Sequence, residues 1–222
     1  SGYNEKYGLL GSNKATEDKV KLFPRECTDL VMAIQAQLLE TYMLLEFNHQ
    51  SLIATKASRV CRAAQGRAVL EFGSRRAQGI AGAVTGARAA FIGGCAGTAC
   101  TVSDQVYGVP AAGTMAHSWV QMFDSEYDAF VSYCKTYPNN AVLLVDTFNT
   151  LKSGIPNAIR AFNEVLRPMG ITKCGIRLDS GDMAYLTQRA RKMLDDAGWP
   201  DCTITVSNSL DERLITELIR QG

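Results

Sequence analysis

The residues 177–182 of this 222-residue chain place one cation and two carboxylates within a short stretch. Arg177 and Asp179 are two positions apart in a predicted strand, so their side chains point to the same face. A guanidinium binds phosphate or carboxylate groups, and a carboxylate binds ribose hydroxyls or Mg²⁺. This spacing favours a site for a phosphorylated sugar, and a buried structural ion pair is the alternative.

His117 is the histidine best placed for chemistry. The four residues before it, 113–116, are Gly, Thr, Met and Ala, and they leave the imidazole accessible at neutral pH. The chain has one other histidine, His49, which follows a long apolar helical run. A structural or dipole-capping role is favoured there.

Polar residues also follow each of five predicted strands. Glycines, hydroxyls, carboxylates and arginines collect in these loops, where α/β proteins bind their ligands. The loops are residues 73–76, 93–98, 146–147, 179–182 and 207–209. No phosphate-binding loop of the Gly-x-x-x-x-Gly-Lys type is present, and no Gly-x-Gly-x-x-Gly turn follows a strand. A shared polar site is therefore predicted, outside the common nucleotide-binding folds.

Strands and helices must alternate to place these loops together. Apolar spacing predicts a helix over residues 30–47 with Asp29 as its N-cap, and a second helical stretch through residue 60. Ser180 is predicted to cap a later helix. The predicted strands are residues 68–72, 89–92, 141–145, 174–178 and 202–206. This alternation is typical of an α/β protein with a parallel sheet or barrel. Five or six such units are fewer than a closed eight-unit barrel needs.

Composition excludes several classes of protein. There are 23 Lys and Arg residues against 22 Asp and Glu, giving a net charge of +1. This balance argues against binding to nucleic acid or a membrane surface through bulk charge. No apolar run is expected to span a membrane, and no export signal is visible. The seven cysteines form no Cys-x-x-Cys pair, so they are predicted to be reduced thiols in a cytoplasmic protein without a metal site.

The motifs resemble those of the nicotinate phosphoribosyltransferase family from about residue 23 to the end. The matching segments are EFGSRRAQG (71–79), GTMAHS (113–118), LVDT (144–147) and IRLDSGD (176–182). Two helical segments, QLLET (37–41) and SLIATK (51–56), also resemble the family. Four motifs in the same order make the resemblance specific.

The resemblance implies an enzyme of NAD salvage. Nicotinate would attack C1′ of phosphoribosyl pyrophosphate and release pyrophosphate, with coupled ATP hydrolysis and Mg²⁺. The implied fold is an irregular, partial (β/α) barrel of the type II phosphoribosyltransferase kind with a helical N-terminal part. The implied assembly is a homodimer with a shared active site. The implied domains are an unplaced segment (1–22), a helical link to a smaller domain (23–66) and a barrel portion (67–222) that is incomplete at its C-terminus.

The resemblance also assigns catalytic roles by motif. His117 would take the phosphoryl group from ATP and become a phosphohistidine. Asp146 and Asp179 would hold the ribose hydroxyls or help to position Mg²⁺. Carboxylates at these positions would stabilise the cationic transition state at C1′.

Five further residues would bind the substrate. Thr114 would contact nicotinate, and Arg177 would bind the nicotinate carboxylate or its neighbouring phosphate. Arg75 would line the same pocket. Ser180 and Gly181 complete the predicted substrate-binding set.

Two other functions stay open at this point. Nicotinamide phosphoribosyltransferase shares the arginine, histidine and Asp-Ser-Gly-Asp positions, but it usually has aspartate where this chain has Ala99. Ala99 and the Arg75-Arg76 pair favour an anionic substrate. A truncated, non-catalytic ligand-binding module is the second alternative, because the aromatic and glycine-rich segments of the family are not found. His117 speaks against quinolinate phosphoribosyltransferase.

Overall fold

The computed structural model describes the backbone of residues 24–222 and the side chains from residue 30 onward. Its first element is one continuous helix, α1 (Pro24–Ala63). The prediction of two helical stretches with an N-cap at Asp29 was wrong, because the helix begins upstream and continues without a break. The segment 1–22 lies outside the described residues. Contacts divide the chain into two compact units at the boundary between Ile53 and Ala54.

The part of α1 before this boundary carries exposed apolar side chains, including Leu38, Leu45 and Phe47. Leu30–Ala63 is long and apolar enough to cross a membrane by length and composition alone. This differs from the expectation that no segment could do so. It is weak evidence for a membrane, since helices of soluble proteins pass the same test.

The unit formed by residues 54–222 begins with two short parallel strands, β1 (Leu70–Glu71) and β2 (Gly97–Thr98). Between them lies helix α2 (Gly79–Ile92). The predicted strand at residues 89–92 was wrong, because these residues form the last turn of α2. Ala89 and Ala90 are buried on the helix, and a short apolar run fits a buried helix turn as well as a strand.

A second sheet contains three parallel strands in the order β3 (Val142–Leu144), β4 (Gly175–Leu178) and β5 (Thr203–Val206). In its register, Leu144 lies opposite Arg177, and Arg177 lies opposite Thr205. The three predicted strands of this region are confirmed, each somewhat shorter than predicted. Neither sheet closes into a barrel within the described residues.

Helices connect and cover these strands. They are α3 (Thr101–Tyr107), α4 (His117–Val120), α5 (Glu126–Thr136), α6 (Ile155–Ala161), α7 (Met183–Asp196) and α8 (Glu212–Gln221). Five-residue π-helical turns, Thr150–Gly154 and Phe162–Leu166, flank α6. Asp182 caps α7 by accepting a hydrogen bond from the Tyr185 amide, so the prediction that Ser180 is the cap was wrong.

The core lies between the three-stranded sheet and its helices. Its largest fully buried side chains include Phe130, Phe162, Leu143 and Ile176. The β3 strand is apolar throughout, as expected for a parallel strand that is covered on both faces. Mixed α/β architecture is therefore confirmed, and this core fixes the ends of β3, β4 and β5 relative to one another.

Candidate active site

The carboxyl ends of β3, β4 and β5 bring the predicted polar residues together. Asp146 follows β3, Arg177 lies within β4, and Ser207 follows β5. Backbone bonds continue the ladder at this end, from the Val145 amide to the Arg177 carbonyl (3.1 Å) and from the Ser207 amide to the Leu178 carbonyl (2.9 Å). The polar side chains therefore share one edge of a rigid sheet, where α/β proteins bind ligands.

Asp146 is the most buried charged group of the site. Its side chain is 1% exposed. The Oδ2 atom accepts hydrogen bonds from the Asp179 amide (2.9 Å) and from the Ser180 hydroxyl (2.6 Å). The Oδ1 atom lies 3.2 Å from His117 Nε2. A buried carboxylate needs such partners, and these bonds fix Asp146 in one orientation.

His117 is the first residue of the short helix α4, and its side chain is 39% exposed. Its Nε2 atom faces a carboxylate oxygen, which accepts hydrogen bonds and does not donate them. The tautomer that donates from Nε2 is therefore assigned from this contact. In the neutral ring this leaves the lone pair on Nδ1.

Arg177 is the centre of a second network. Its Nε donates to the Ser207 hydroxyl (2.9 Å), its Nη1 to the Thr114 hydroxyl (2.8 Å) and its Nη2 to Asp179 Oδ1 (3.0 Å). The guanidinium carbon lies 5.4 Å from the centre of the Phe72 ring. A guanidinium has five N–H donors. Among the described residues, these three bonds leave two donors, one on each terminal nitrogen.

Asp179 carries a negative charge beside this guanidinium. Burial on its own would raise the pKa of Asp179, but hydrogen bonds from Ser207 and Arg177 and the charges of Arg177 and His117 outweigh it. The pKa of Asp179 is therefore lower than its ordinary value. Both predicted carboxylates, Asp146 and Asp179, thus sit in environments that hold them in place, and Asp179 is ionised at neutral pH.

The structure treats the remaining predicted residues differently. Thr114 and Ser180 belong to the two networks through the bonds given above. Gly181 has a φ of +88° and forms the turn before α7. Arg75 lies on an exposed 3-10 turn, Ser74–Arg76, and makes none of the contacts of the two networks in the described part of the chain.

Sequence reasoning placed Ser207 only among the loop residues of the shared polar site and gave it no role, and it missed Phe72. Ser207 accepts from Arg177 and donates to Asp179, and it also lies close to the Leu178 carbonyl. Phe72 covers one face of the guanidinium. A serine after a strand was visible in the sequence, but only the register of β4 and β5 shows that it meets Arg177.

An open cavity of about 440 Å³ adjoins Thr114. Aromatic side chains line much of it, namely Trp119, Tyr133 and Tyr137. The charged residues of the two networks do not line this cavity. The charged site is therefore separate from this cavity, and Thr114 belongs to both, since it lines the cavity and accepts a hydrogen bond from Arg177.

Sequence comparison finds relatives in bacteria and plants. The chain is 47% identical over 191 residues to the nicotinate phosphoribosyltransferase of Bacillus subtilis (strain 168), which covers 85% of this chain and 38% of that protein. It is 41% identical over 213 residues to nicotinate phosphoribosyltransferase pncB2 of Mycobacterium tuberculosis (strain H37Rv), which covers 95% of this chain and 45% of that protein. The chain is homologous to nicotinate phosphoribosyltransferases over most of its length. No protein-family model matches it.

Solved structures agree with this relationship. The crystal structure of human nicotinic acid phosphoribosyltransferase matches with a TM-score of 0.75 at 30% identity, over 82% of this chain and 47% of that chain. A nicotinate-nucleotide pyrophosphorylase from Pyrococcus furiosus matches with a TM-score of 0.67 at 30% identity, over 78% of this chain and 44% of that chain. The chain thus spans less than half the length of these nicotinate phosphoribosyltransferase relatives.

Proposed function

We propose that the chain supplies the histidine, carboxylate and arginine groups of a nicotinate phosphoribosyltransferase site. The observation that carries this proposal is the connected arrangement of His117, Asp146, Asp179 and Arg177 at adjacent strand ends. In the reaction, the nicotinate ring nitrogen bonds to C1′ of phosphoribosyl pyrophosphate while the bond from C1′ to pyrophosphate breaks. Positive charge develops at C1′, and the fixed carboxylates would stabilise it.

Arg177 would bind the carboxylate of nicotinate. Its two remaining donors lie on the terminal nitrogens, which suits the bidentate recognition of a carboxylate. Phe72 and Thr114 would border the same position. An amide substrate would meet the same donors without the charge, so this geometry favours nicotinate over nicotinamide.

His117 would accept the γ-phosphoryl group of ATP at Nδ1. The phosphorus–oxygen bond to ADP would break as the Nδ1–phosphorus bond forms. The exposed ring leaves Nδ1 accessible, and the contact with Asp146 stabilises the positive charge that the ring gains. A phosphoryl group there would add negative charge to the site and so couple ATP hydrolysis to substrate binding.

The carboxylates fit Mg²⁺ only when a substrate supplies further ligands. Both Asp146 oxygens already accept hydrogen bonds, and no group of three or more metal-binding side chains occurs among the described residues. Mg²⁺ is often held by one or two carboxylates together with substrate phosphates. Asp179 is the residue that would contribute, and the ion would neutralise the departing pyrophosphate.

The longer assembly is part of the proposal. The three-stranded sheet would be one arc of an irregular barrel, with residues 67–222 as the barrel portion and 23–66 as the link to a smaller domain. Arg75 would line the pocket in a homodimer with a shared active site. The similarity to metabolic enzymes supports a soluble, cytoplasmic protein.

The test is product formation with the chain, phosphoribosyl pyrophosphate, Mg²⁺ and ATP. Nicotinate, nicotinamide and quinolinate are compared in parallel with the wild-type chain and with His117→Ala. We expect nicotinate mononucleotide from nicotinate only, with an ATP stimulation that His117→Ala removes. Nicotinate binding by calorimetry is measured alongside, with Arg177→Lys as the test variant and the exposed Arg189→Lys as its matched control.

Each outcome separates the candidate functions. Product from nicotinamide would overturn the choice of substrate, and ATP stimulation that survives in His117→Ala would overturn the role of His117. Binding of nicotinate without turnover, weakened about tenfold or more by Arg177→Lys only, would identify a non-catalytic binding module. If the chain shows no nicotinate binding and no turnover, that result would contradict the proposal for this chain.

A further inference from the structure

Two cysteines outside the charged site lie against each other. Cys61 is in the last turns of α1, and Cys95 follows the Gly93-Gly94 turn at the end of α2. Their Sγ atoms are 3.9 Å apart. Both belong to the unit formed by residues 54–222. A disulfide bond needs the sulfur atoms to approach to about 2 Å, so the two sulfur atoms would have to move closer by about that distance.

The glycine turn fixes the position of this pair. A Cβ atom built at Gly93 would lie 2.5 Å from the Ala54 carbonyl oxygen and 2.7 Å from the Ala57 Cβ. A Cβ atom built at Gly94, whose φ is +112°, would lie 3.5 Å from the Cys61 Sγ. The backbone of the turn therefore lies directly against one face of α1. This close packing holds the Cys61 and Cys95 thiols next to each other.

The two thiols differ in accessibility. Cys61 is half-buried, whereas Cys95 is 6% exposed. Burial, reinforced by the neighbouring Cys61, raises the pKa of the Cys95 thiol to about 12. An oxidant from solvent therefore reaches Cys61 before Cys95, and Cys95 is close enough to react with the oxidised Cys61 sulfur. This is the arrangement of an attacking and a resolving cysteine.

We propose that Cys61 and Cys95 form a reversible disulfide on exposure to a low-molecular-weight disulfide such as oxidised glutathione. The Cys61 thiolate attacks one glutathione sulfur, which breaks the glutathione disulfide and releases one glutathione thiolate. The Cys95 thiol gives up its proton to solvent and attacks the Cys61 sulfur, which releases the second glutathione. The protein loses two electrons, and the small disulfide is reduced to two thiols.

The other described cysteines provide an internal comparison. Cys174 and Cys202 also neighbour each other, directly before β4 and β5, but they are 7% and 2% exposed and belong to the hydrophobic core. Cys100 is also buried, five residues after Cys95. The proposal therefore assigns the reaction to the one close pair in the described part of the chain that has a half-buried member.

The experiment treats the reduced 222-residue chain with oxidised glutathione and then alkylates it in denaturant. Intact mass counts the alkylated thiols. We expect the count to fall from seven to five, and to return to seven after dithiothreitol. After cleavage with trypsin, the peptide Val60–Arg62 should be linked to the peptide Ala89–Lys135. Fragment ions should place the bond at Cys95 rather than at Cys100 or Cys134. Cys95→Ser should stop at a glutathione adduct on Cys61, whereas Cys100→Ser should still lose two thiols.

Three results would overturn the proposal. They are a count that stays at seven, a pair of lost thiols that maps to other cysteines, and a Cys95→Ser chain that still loses two thiols. Should Cys95→Ser fail to fold, Cys61→Ser replaces it, and this chain should lose no thiols. The fragment ions of the linked peptides from the wild-type chain decide the pairing independently of either variant.

Discussion

Replacing Arg177 by Met is expected to destabilise the unit formed by residues 54–222 by about 3 kcal/mol. Hydrogen bonds to a charged group contribute about 1.5–3 kcal/mol each, and Arg177 donates three. The side chains of Arg177 and Asp179 remain 13% and 22% exposed. Water therefore replaces part of what is lost, and the total stays well under the sum of three full bonds.

A double-mutant cycle isolates the ion pair within this loss. Urea unfolding at pH 7 is measured for the wild-type chain, Arg177→Met, Asp179→Asn and the double variant. We expect a coupling energy of about 1.5 kcal/mol. The matched control is the exposed pair Arg220 and Glu217, with side chains 72% and 52% exposed. Its coupling should be about 0.5 kcal/mol or less.

The pH dependence carries an independent signature. The pKa of Asp179 is lower in the folded chain, so its ionised form adds stability above the unfolded-state pKa of about 4. That contribution is lost as the pH falls through the folded-state pKa. The difference between wild type and Arg177→Met should therefore shrink in acid. Additive single variants, or equal coupling in both pairs, would refute the reasoning.

Three further predictions rest on other residues. Burial raises the pKa of Glu126 despite opposing hydrogen bonds. The stability of the wild-type chain should therefore fall as the pH rises above the unfolded-state pKa of about 4. Over the same pH range, thermal unfolding should show that Glu126→Gln becomes more stable relative to wild type. Gly154→Ala would place a Cβ atom 1.8 Å from the Val145 carbonyl oxygen, directly after β3. Urea unfolding should show that this variant loses about 3 kcal/mol of the free energy of unfolding. The control Gly113→Ala should lose almost none, because its Cβ atom would enter open space. The disulfide between Cys61 and Cys95 should raise the free energy of unfolding by about 4 kcal/mol through loop closure. Urea unfolding with and without dithiothreitol measures this difference.

The sheet could be predicted because parallel strands buried on both faces are apolar runs followed by polar loops. The same period of two places Arg177 and Asp179 on one face, and their 3.0 Å contact agrees. The nearness of His117 to Asp146 could not be worked out from spacing, since His117 follows no strand. The motif resemblance grouped them, and the fold brings them within 3.2 Å.

The failures have identifiable physical causes. Residues 89–92 were predicted as a strand because four apolar residues before two glycines fit either structure. Tertiary packing decides the matter, since the Gly93 turn that ends α2 lies against Ala57 of α1. Ser180 was predicted as a helix cap, but its hydroxyl donates to Asp146, and Asp182 caps α7 instead. Ser180 and Asp182 could each cap α7 by residue type. The buried Asp146 carboxylate decides between them, because it binds the Ser180 hydroxyl.

The three acceptors around Arg177 also determine when its side-chain entropy is lost. A free arginine side chain has about 2 kcal/mol of rotamer entropy, and this freedom is already gone in the folded chain because the guanidinium is bonded at Nε, Nη1 and Nη2. An anion that arrives at the two remaining donors meets a preorganised cation. The entropy cost of ordering Arg177 therefore arises during folding rather than during anion binding. A substitution that removes one of these acceptors should lower both the stability of the fold and the affinity for the anion.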